Sequence, residues 1–550
     1  MKIILIVVSF VYLSVASANH SFEDVSSKLT TLFDQVEKNE ISISNALLAI
    51  QERDIDLLLK PSVVDPNAHT SIAQGVVACT GAVQGVLCFD LSDIEKCKQE
   101  GKSVIWVTES ISNDDLCHLH QLAGIFAIKE DPSSHAIIVT RVYNIPCVTL
   151  ASKVTKTDRE LITPAGVFKH GDLATLDAFN GLLLSGIAPL YVNNDATMIN
   201  KISDWSEKYS NLQVHGNADN ANEAKEALDF GAKGVDPRTE HMFFQSDRLH
   251  LFRKAILSKG ENESILNELK ELQKGDFVAL FQTMKSYPVK IRLLDPPLHE
   301  FLPYQEEKLV SLASDLNLPL IQLKKTVANL KETNPMMGHR GVRLLLTYPS
   351  ILKMQVRAIF EASLDPTLQG ESIIPHIVIP MIISSEEVKQ VKQLVEQVYQ
   401  EISHNSEKAF TYKLGIMMET PRACLTAGEI APYVDFVSFG TNDLTGQTLA
   451  LSRGDVYDKF LKFYIENGLL ETDPFSEIDP AVKELMRICV NQIRSKHSGV
   501  IIGICGEHAS QKRGVFVCHE LGLDTVSCSA FRVPIVKLFA AQAAIMHPRT

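Results

Sequence analysis

The sequence predicts an α/β protein in which a compact β/α domain precedes a (β/α)8 barrel. With 550 residues, the chain is longer than one hydrophobic core usually serves, so at least two domains are expected. Short β-rich runs broken by glycine fill residues 75–186 and predict the compact domain. From about residue 211, eight apolar runs alternate with helical patterns, which is typical of a (β/α)8 barrel. A doubly wound parallel sheet is the competing interpretation of this alternation.

The N-terminal segment predicts a signal peptide over residues 1–18. Lys2 precedes an apolar run from Ile3 to Val15, and residues 16–18 have the small-residue pattern of a signal-peptidase site. The run is too short for a membrane span, so we expect no span and a secreted or secretory-pathway protein. A mispredicted or alternative first exon is the competing interpretation, and a truncated gene model would make the protein cytoplasmic or organellar.

The remaining sequence divides into four segments. Residues 19–66 predict a helical connector, with apolar side chains at helical spacing between Leu29 and Val36. Residues 67–190 form the compact β/α domain, whose β-rich runs include the apolar stretch that begins at Ile137. Residues 191–210 are polar and predict a helical hinge, and residues 211–546 form the barrel.

Each apolar run of the predicted barrel ends in a polar or charged cluster. Active sites of (β/α)8 barrels lie at the C-terminal ends of the strands, so these clusters are the candidate functional residues. The runs begin at Gln213, Gly234, Val289, Ile377, Gly415, Phe436, Val500 and Thr525.

Composition argues against some classes of function. The net charge of −13 would repel a nucleic acid, so no nucleic-acid partner is expected. A few convergent arginines can still bind a small anion on a negative protein. The ten cysteines have the spacing of neither a metal site nor a small disulfide scaffold.

His135 is the candidate carrier of a covalent phosphate. It lies where the loop Asp131-Pro-Ser-Ser enters an apolar run, so one ring nitrogen could face solvent while the following residues are buried. A neutral imidazole so placed can attack phosphorus. A partly buried structural histidine is the alternative.

Four charged residues at strand ends predict an anion and metal site at the barrel mouth. Glu419 and Asp443 close two successive strands, and two carboxylates facing a phosphate suit Mg²⁺. Arg238 and Arg292 can form bidentate contacts with carboxylate or phosphoryl oxygens. Each charge alone would be read as a solvated strand end or a structural ion pair.

Cys505 is the candidate proton donor on the same rim. It lies between Ile504 and Gly506 at a strand end, where its thiol could protonate a reactive carbon. Packing in the core is the alternative role.

Seven segments resemble the pyruvate, phosphate dikinase family, which belongs to the PEP-utilising enzymes. The resemblance runs from about residue 40 to 545. The Asp-Pro-Pro-Leu-His-Glu loop and the Arg-Thr-Glu-His-Met-Phe strand end favour the dikinases over phosphoenolpyruvate synthase and enzyme I of the sugar phosphotransferase system. The segments are Arg238–Phe244, Arg292–Phe301, Asn334–Gly341, Glu419–Ala423, Ser438–Thr445, Ile504–His508 and Phe531–Pro534.

The resemblance implies a swivelling phosphohistidine domain followed by a TIM-type barrel that binds phosphoenolpyruvate (PEP) or pyruvate. It implies that His135 carries the phosphoryl group, that Arg238 and Arg292 hold that group, and that Glu419 and Asp443 bind Mg²⁺.

By the same resemblance, Gly440, Thr441 and Asn442 bind the carboxylate end of the substrate. Cys505 is implied to protonate the enolate to pyruvate, or to deprotonate pyruvate in reverse. A homodimer formed through the barrel is also implied.

The sequence departs from the family pattern in three places. The family begins with an ATP-grasp domain, and residues 19–66 hold no glycine-rich phosphate loop. Glu130-Asp131-Pro132 replaces the glycines before the phosphohistidine triplet, and carboxylates there disfavour a dianionic phosphohistidine. The strand leading to Arg238 reads Gly234-Val-Asp-Pro, one residue shorter than in the family.

Together these features predict a dikinase-like phosphotransferase that catalyses the PEP/pyruvate half reaction and does not use ATP on its own. A secreted, non-catalytic relative that binds PEP-like ligands or a protein partner is the alternative. Either a separate chain would supply the ATP-grasp domain, or the gene model is truncated upstream and omits it.

Overall fold

The computed structural model describes residues 22–549 with short gaps. The gaps are 112–114, 116–117, 120, 131–136, 138–139, 142, 244–245, 304, 317, 335–336, 369–372, 407 and 453–455. The predicted signal peptide and His135 lie outside the described residues. The chain forms two compact units, which divide between Asn200 and Lys201. Across the described ranges, no helix has the length and hydropathy needed to cross a membrane.

Three helices open the first unit: α1 (Phe22–Glu37), α2 (Ile43–Ala49) and α3 (Glu52–Leu59). Val25, Leu29 and Phe33 are the buried side chains of α1, as the helical spacing predicts. The side chain of Ser42 caps α2 by accepting from the backbone N–H of Asn45 at 3.2 Å. Most of residues 22–59 are therefore helical, as predicted, with short breaks between the three helices.

The first unit is built on an eight-stranded mixed sheet of order β2-β12-β11-β4-β5-β6-β7-β3, with the short helix α4 (Ile94–Gln99) between β4 and β5. Two smaller sheets, β10-β9-β8 and β1-β13, accompany it. The strands are β1 (Ser62–Val63), β2 (Ser71–Gln74), β3 (Val76–Cys79), β4 (Ala82–Cys88), β5 (Val104–Thr108), β6 (Gly124–Ala127), β7 (Cys147–Thr149), β8 (Thr155–Lys156), β9 (Glu160–Thr163), β10 (Gly166–Lys169), β11 (Leu173–Asp177), β12 (Leu182–Ser185) and β13 (Leu190–Tyr191).

The central strands of this sheet are buried on both faces. Val104 and Trp106 of β5 pack in one apolar cluster, while Ile105 and Val107 pack in another. Alternate side chains of a strand point to opposite faces of the sheet. A strand that is buried on both faces therefore has an unbroken apolar run in its sequence.

At Ile137, the first residue of an apolar run, the β-rich structure that the sequence predicts is wrong. Ile137, Thr140 and Arg141 are helical, and the Thr140 hydroxyl donates to the Ile137 carbonyl at 2.7 Å. Ile137 is fully buried in the cluster that contains Trp106. A short apolar run fits a buried helix as well as a strand, and packing decides between them.

The second unit contains a parallel sheet of order β14-β20-β19-β18-β17-β16-β15. Helix α5 (Thr197–Tyr209) precedes it and accounts for the helix predicted in residues 191–210, whose hinge role stays a prediction. The strands are β14 (Gln213–Asn217), β15 (Lys290–Arg292), β16 (His376–Ile379), β17 (Lys413–Met418), β18 (Phe436–Gly440), β19 (Ile501–Cys505) and β20 (Thr525–Ser529).

The second of the eight predicted strands is reduced to isolated bridges. Val235 pairs in parallel with Gly216 on one side and with Val289 on the other, so it connects the two edges of the seven-stranded sheet. Arg238 and Arg292 form a further parallel bridge. Pro237 has no N–H to donate, which interrupts a regular ladder here. The predicted fold class is confirmed, with this strand shortened.

Helices follow the strands of the second unit and cover the parallel sheet. The side chain of Asn220 caps the first of them, and a reciprocal Ser384–Glu387 capping box begins the helix after β16. The helices are α6 (Ala221–Asp229), α7 (Thr239–Phe243), α8 (Ser246–Leu257), α9 (Glu263–Met284), α10 (Glu306–Asp315), α11 (Leu320–Leu330), α12 (Val342–Thr347), α13 (Pro349–Ser363), α14 (Ser385–Asn405), α15 (Pro421–Leu425), α16 (Ala427–Ile430), α17 (Thr441–Leu449), α18 (Lys462–Glu466), α19 (Pro480–Lys496), α20 (Lys512–Glu520) and α21 (Val533–Met546).

Candidate functional site

The C-terminal ends of the parallel strands bring most of the predicted site residues to one rim. Arg292 ends β15, Cys505 ends β19, and Glu419 follows β17 directly. Gly440 ends β18 and is the register partner of Cys505. The sequence placed these residues on separate strands, and the parallel sheet aligns the ends of those strands.

An arginine to which the sequence assigned no role connects the acidic residues of this rim. Arg340 Nη2 lies 2.6 Å from Asp295 Oδ2, and Arg340 Nη1 lies 2.8 Å from Asp443 Oδ1. Arg292 pairs with Glu240 and lies 3.5 Å from Asp295. Arg340, Asp295 and Glu240 are all buried, so the network is shielded from solvent.

When both are ionised, Glu419 and Asp443 carry more negative charge than the neighbouring arginines compensate. Burial and the charges of Asp443 and Asp295 raise the pKa of Glu419 to about 8. Burial is also the largest cause that raises the pKa of Asp443, and Arg340 only partly opposes it. A divalent cation between these carboxylates would remove the repulsion, so the two residues fit a Mg²⁺ site.

Glu419 is held in place by the backbone that follows β16. Its Oε1 accepts a hydrogen bond from the Met381 N–H at 2.6 Å. Met381 has φ 59°, a conformation that costs energy for a residue with a side chain. The strained residue thus presents its N–H to the carboxylate. Within the described ranges, no group of three or more His, Cys, Asp or Glu side chains could hold a metal ion. Two carboxylates leave room for water and substrate oxygens, as Mg²⁺ sites commonly do.

The Cys505 thiol is a protonated group at neutral pH. Burial is the main cause that raises its pKa to about 11, and the charge of Asp236 adds to the effect. Its Sγ lies 3.7 Å from the Phe439 carbonyl oxygen and 3.9 Å from Met417 Sδ. A thiol in this state can donate a proton but is a poor nucleophile.

Gly440, just before the first turn of α17, packs closely against Glu419. A Cβ on Gly440 would lie 2.3 Å from Glu419 Oε2, so a side chain there would displace the carboxylate. Asn442 Oδ1 is buried and has no hydrogen-bond partner among the described residues. Free N–H groups at a helix N-terminus suit an anion, and Thr441 begins such a helix.

Arg238 is more exposed than Arg292 and is fixed by a different carboxylate. Its backbone N–H donates to Asp219 Oδ1 at 2.7 Å, and its Nη2 lies 3.2 Å from Asp219 Oδ2. Burial alone would raise the pKa of Asp219, but the hydrogen bond with His241 and the charge of Arg238 outweigh it and hold the pKa well below its usual range. Asp219 is thus an ionised anchor for Arg238.

The structure adds supporting residues that the sequence analysis did not assign. Arg340 and Asp295 lie inside two of the seven family-like segments, so their motifs were visible but their partners were not. Glu240 lies two residues after Arg238 but pairs with Arg292. Asp219 ends the first apolar run and pairs with Arg238, 19 residues later. Only the fold brings these pairs together.

Comparisons with known proteins agree with both units. Residues 194–545 match the family described as "PEP-utilising enzyme, PEP-binding domain". Residues 100–181 match the family described as "PEP-utilising enzyme, mobile domain".

Curated relatives are similar over nearly the whole chain. The pyruvate, phosphate dikinase of Rhizobium meliloti is 39% identical over 527 residues, which cover 94% of this chain and 58% of that protein. The dikinase of Clostridium symbiosum is 38% identical over 522 residues, covering 93% and 60%. The chloroplastic dikinase of Flaveria trinervia is 38% identical over 526 residues, covering 93% and 55%. The chain therefore spans less than two thirds of these relatives, and the predicted resemblance is confirmed.

Proposed function

We propose, since the chain belongs to the family of PEP-utilising enzymes, that its barrel interconverts PEP and pyruvate as half of a dikinase-like phosphotransferase reaction. The observation that carries the proposal is the rim itself. Two buried carboxylates with raised pKa values, two anchored arginines and a protonated thiol lie at the ends of one parallel sheet.

The arginines bind the phosphoryl group of PEP. Arg292 is oriented by Glu240 and Asp295, and Arg238 is oriented by Asp219, so both guanidinium groups are fixed before substrate arrives. A positive group that is already oriented costs no reorganisation when charge develops on the transferring oxygens.

Glu419 and Asp443 hold the Mg²⁺ in this proposal. When bound, the ion stabilises the negative charge of the enolate oxygen and of the phosphoryl oxygens. The positive charge of the ion would offset the electrostatic repulsion between Glu419 and Asp443. The backbone N–H of Met381 keeps Glu419 oriented.

Cys505 supplies the proton that completes pyruvate. The P–O bond of PEP breaks as phosphorus bonds to a ring nitrogen of His135. The electron pair of the enolate then takes the proton of the Cys505 thiol at C3, which leaves a thiolate. In reverse, the thiolate takes a C3 proton from pyruvate, and the enolate oxygen accepts the phosphoryl group.

The turn from Gly440 to Asn442 receives the carboxylate of the substrate. The N–H groups at the N-terminus of α17 are the donors that support this assignment, because an ionised carboxylate can only accept hydrogen bonds. The absence of a side chain at Gly440 leaves the space beside Glu419 open.

The test is incubation of the purified chain with PEP and Mg²⁺, followed by intact mass measurement at neutral pH and by pyruvate quantification. We expect an adduct of one phosphoryl group and one equivalent of pyruvate. His135→Ala should lose the adduct, while Leu425→Ala, an exposed change on α15, should retain it. PEP binding without adduct or pyruvate would refute the proposal and leave the non-catalytic binder.

Glu130, one of the acidic residues that replace the family's glycines, is buried, and its Oε2 accepts from the Ile111 N–H at 2.6 Å. Its carboxylate therefore has a structural role.

The remaining partner and location predictions are proposals with direct tests. We propose secretion, a homodimer and exchange of the phosphate with a separate ATP-grasp chain. N-terminal sequencing of the mature protein tests cleavage after residue 18, and light scattering tests the dimer. Adding ATP with and without an ATP-grasp protein tests whether the chain uses ATP on its own.

A further inference from the structure

His508 is a buried histidine that joins two segments of the candidate site. It lies in a 3-10 turn, Glu507–Ser510, directly after β19, and its side chain is fully buried. Its Nδ1 lies 2.8 Å from the Thr441 hydroxyl, and its Nε2 lies 3.0 Å from the Pro474 carbonyl oxygen. The ring therefore spans from the first residue of α17 to the loop that precedes α19.

The two contacts determine which nitrogen carries the proton in the neutral ring. A carbonyl oxygen can only accept, so Nε2 must donate its hydrogen to Pro474. Nδ1 of the same neutral ring is then an acceptor, and the Thr441 hydroxyl must donate to it. The hydroxyl hydrogen of Thr441 thus points at His508, and the oxygen lone pairs face elsewhere.

The backbone around His508 leaves little room for the ring to move. A Cβ on Gly514 of α20 would lie 1.9 Å from the His508 carbonyl oxygen, so α20 sits directly against this turn. Gly506 has φ 108°, and a Cβ there would lie 3.1 Å from Thr441 Oγ1. The turn is thus packed on Thr441 from one side and on α20 from the other.

The loop that carries Pro474, on the Nε2 side of the ring, is also held by hydrogen bonds. Asp473 accepts hydrogen bonds from the Phe475 N–H at 2.9 Å and from the Ser476 hydroxyl at 3.2 Å, which fixes the turn that carries the Pro474 carbonyl. Phe475 is buried in an apolar cluster with Val456. The cluster is formed by residues that lie between α17 and α19 in the sequence.

We propose that His508 is a positioning residue for substrate binding, which sets the orientation of Thr441 and with it the turn that carries Asn442 and Asp443. The inference rests on the proposed function, because it assigns the same turn to the substrate carboxylate. Since Asn442 and Asp443 follow Thr441 directly on α17, a shift of Thr441 displaces both.

Isosteric substitutions separate the two contacts of the ring. His508→Asn places an amide oxygen near the Nδ1 position and can keep the Thr441 bond. His508→Gln places an amide nitrogen near the Nε2 position and keeps the Pro474 bond. In single-turnover reactions with PEP and Mg²⁺, we expect His508→Gln to lower the second-order rate constant of pyruvate formation by roughly tenfold to a hundredfold, as small displacements of positioning groups do, while His508→Asn retains most of the parent rate.

A double-mutant cycle with Thr441→Val distinguishes positioning from loss of packing. If His508 acts through Thr441, then Thr441→Val with His508→Gln should be no slower than the slower single variant. Additive losses, equal losses in His508→Asn and His508→Gln, or a rate constant in His508→Gln equal to that of the parent would each overturn the inference.

A readout independent of turnover separates this inference from the proposed function. In protein with ¹⁵N-labelled histidine, the ring signals absent from His508→Gln belong to His508, and we expect the tautomer with hydrogen on Nε2. Hydrogen on Nδ1 would overturn the positioning role even in an active enzyme. A parent that shows the expected tautomer but forms no pyruvate would refute the proposed function and leave the geometry of His508 standing.

Discussion

Arg340→Met removes the guanidinium that joins two acidic residues of the rim. Arg340 contacts Asp295 at 2.6 and 3.2 Å and Asp443 at 2.8 and 3.4 Å. Methionine has a similar length and no charge, so the change leaves the carboxylates buried without this partner. Arg292, at 3.5 Å, stays beside Asp295 but does not pair with Asp443 in the described structure.

The expected loss of stability follows from burial. The side chains of Arg340, Asp295 and Asp443 are 8%, 3% and 13% exposed, so solvent does little to screen the carboxylates. Removal of one partner from a buried ion pair costs about 3–5 kcal/mol. Because Arg292 still compensates Asp295 in part, we expect a value near the lower limit, about 3 kcal/mol.

Urea unfolding at pH 7, followed by tryptophan fluorescence, measures this loss. The chain has two tryptophans, Trp106 in the first unit and Trp205 in the second. Trp106→Phe therefore leaves a signal from the second unit alone. The control is Arg343→Met, since Arg343 donates only to the Met337 and Gly338 carbonyls among its described contacts, and it should cost less than about 1 kcal/mol.

A compensating substitution tests the electrostatic cause. Asp295→Asn in the Arg340→Met background removes one of the uncompensated charges and should restore part of the loss. The reasoning is refuted if Arg340→Met costs no more than Arg343→Met, or if Asp295→Asn destabilises the Arg340→Met variant further.

Three further predictions concern the rim and the barrel interior. Cys505→Ser should lower pyruvate formation from PEP by about a hundredfold or more while PEP affinity changes little, because the proton donor is lost and the binding groups remain; an unchanged rate of pyruvate release in coupled assays would contradict it. Glu419→Gln should weaken Mn²⁺ binding, measured by electron paramagnetic resonance, about tenfold or more, because one of two anionic ligands is lost; binding equal to that of the parent would remove Glu419 from the metal site. His376→Gln should flatten the pH dependence of stability between pH 7 and 5. Burial and the neighbouring lysines Lys413 and Lys290 lower the pKa of His376 from 6.5 to about 3. As the pH falls through 6.5, the unfolded chain therefore binds a proton that the folded chain does not bind, and stability falls by about 2 kcal/mol between pH 7 and 5. The slope of unfolding free energy against pH, in parent and variant, measures this, and equal slopes would contradict it.

The sequence predicted the order of elements in the barrel because each strand has a local signature. An apolar run followed by a charged cluster placed Glu419 and Cys505 at the ends of strands β17 and β19. The signature failed at Val235, where Pro237 reduced a strand to bridges, and at Ile137, where a buried helix has the same composition as a strand. In both places, contacts from neighbouring elements decided the local structure.

The supporting contacts of the site were beyond the reach of the sequence. Arg340 and Asp443 are 103 residues apart, and Thr441 and His508 are 67 residues apart. No local pattern pairs residues at such separations, so Arg340 and His508 stood inside recognised segments without an assigned role.

The sequence by itself determined the family, the fold class and the chemical groups on the rim, because strand periodicity and short motifs are local properties of the chain. The tertiary structure alone decided how those groups are charged and oriented. The pKa of Glu419 rises to about 8 only because the fold buries it beside Asp443 and Asp295. Desolvation and Coulomb interactions depend on distance in space, and only the folded chain sets that distance.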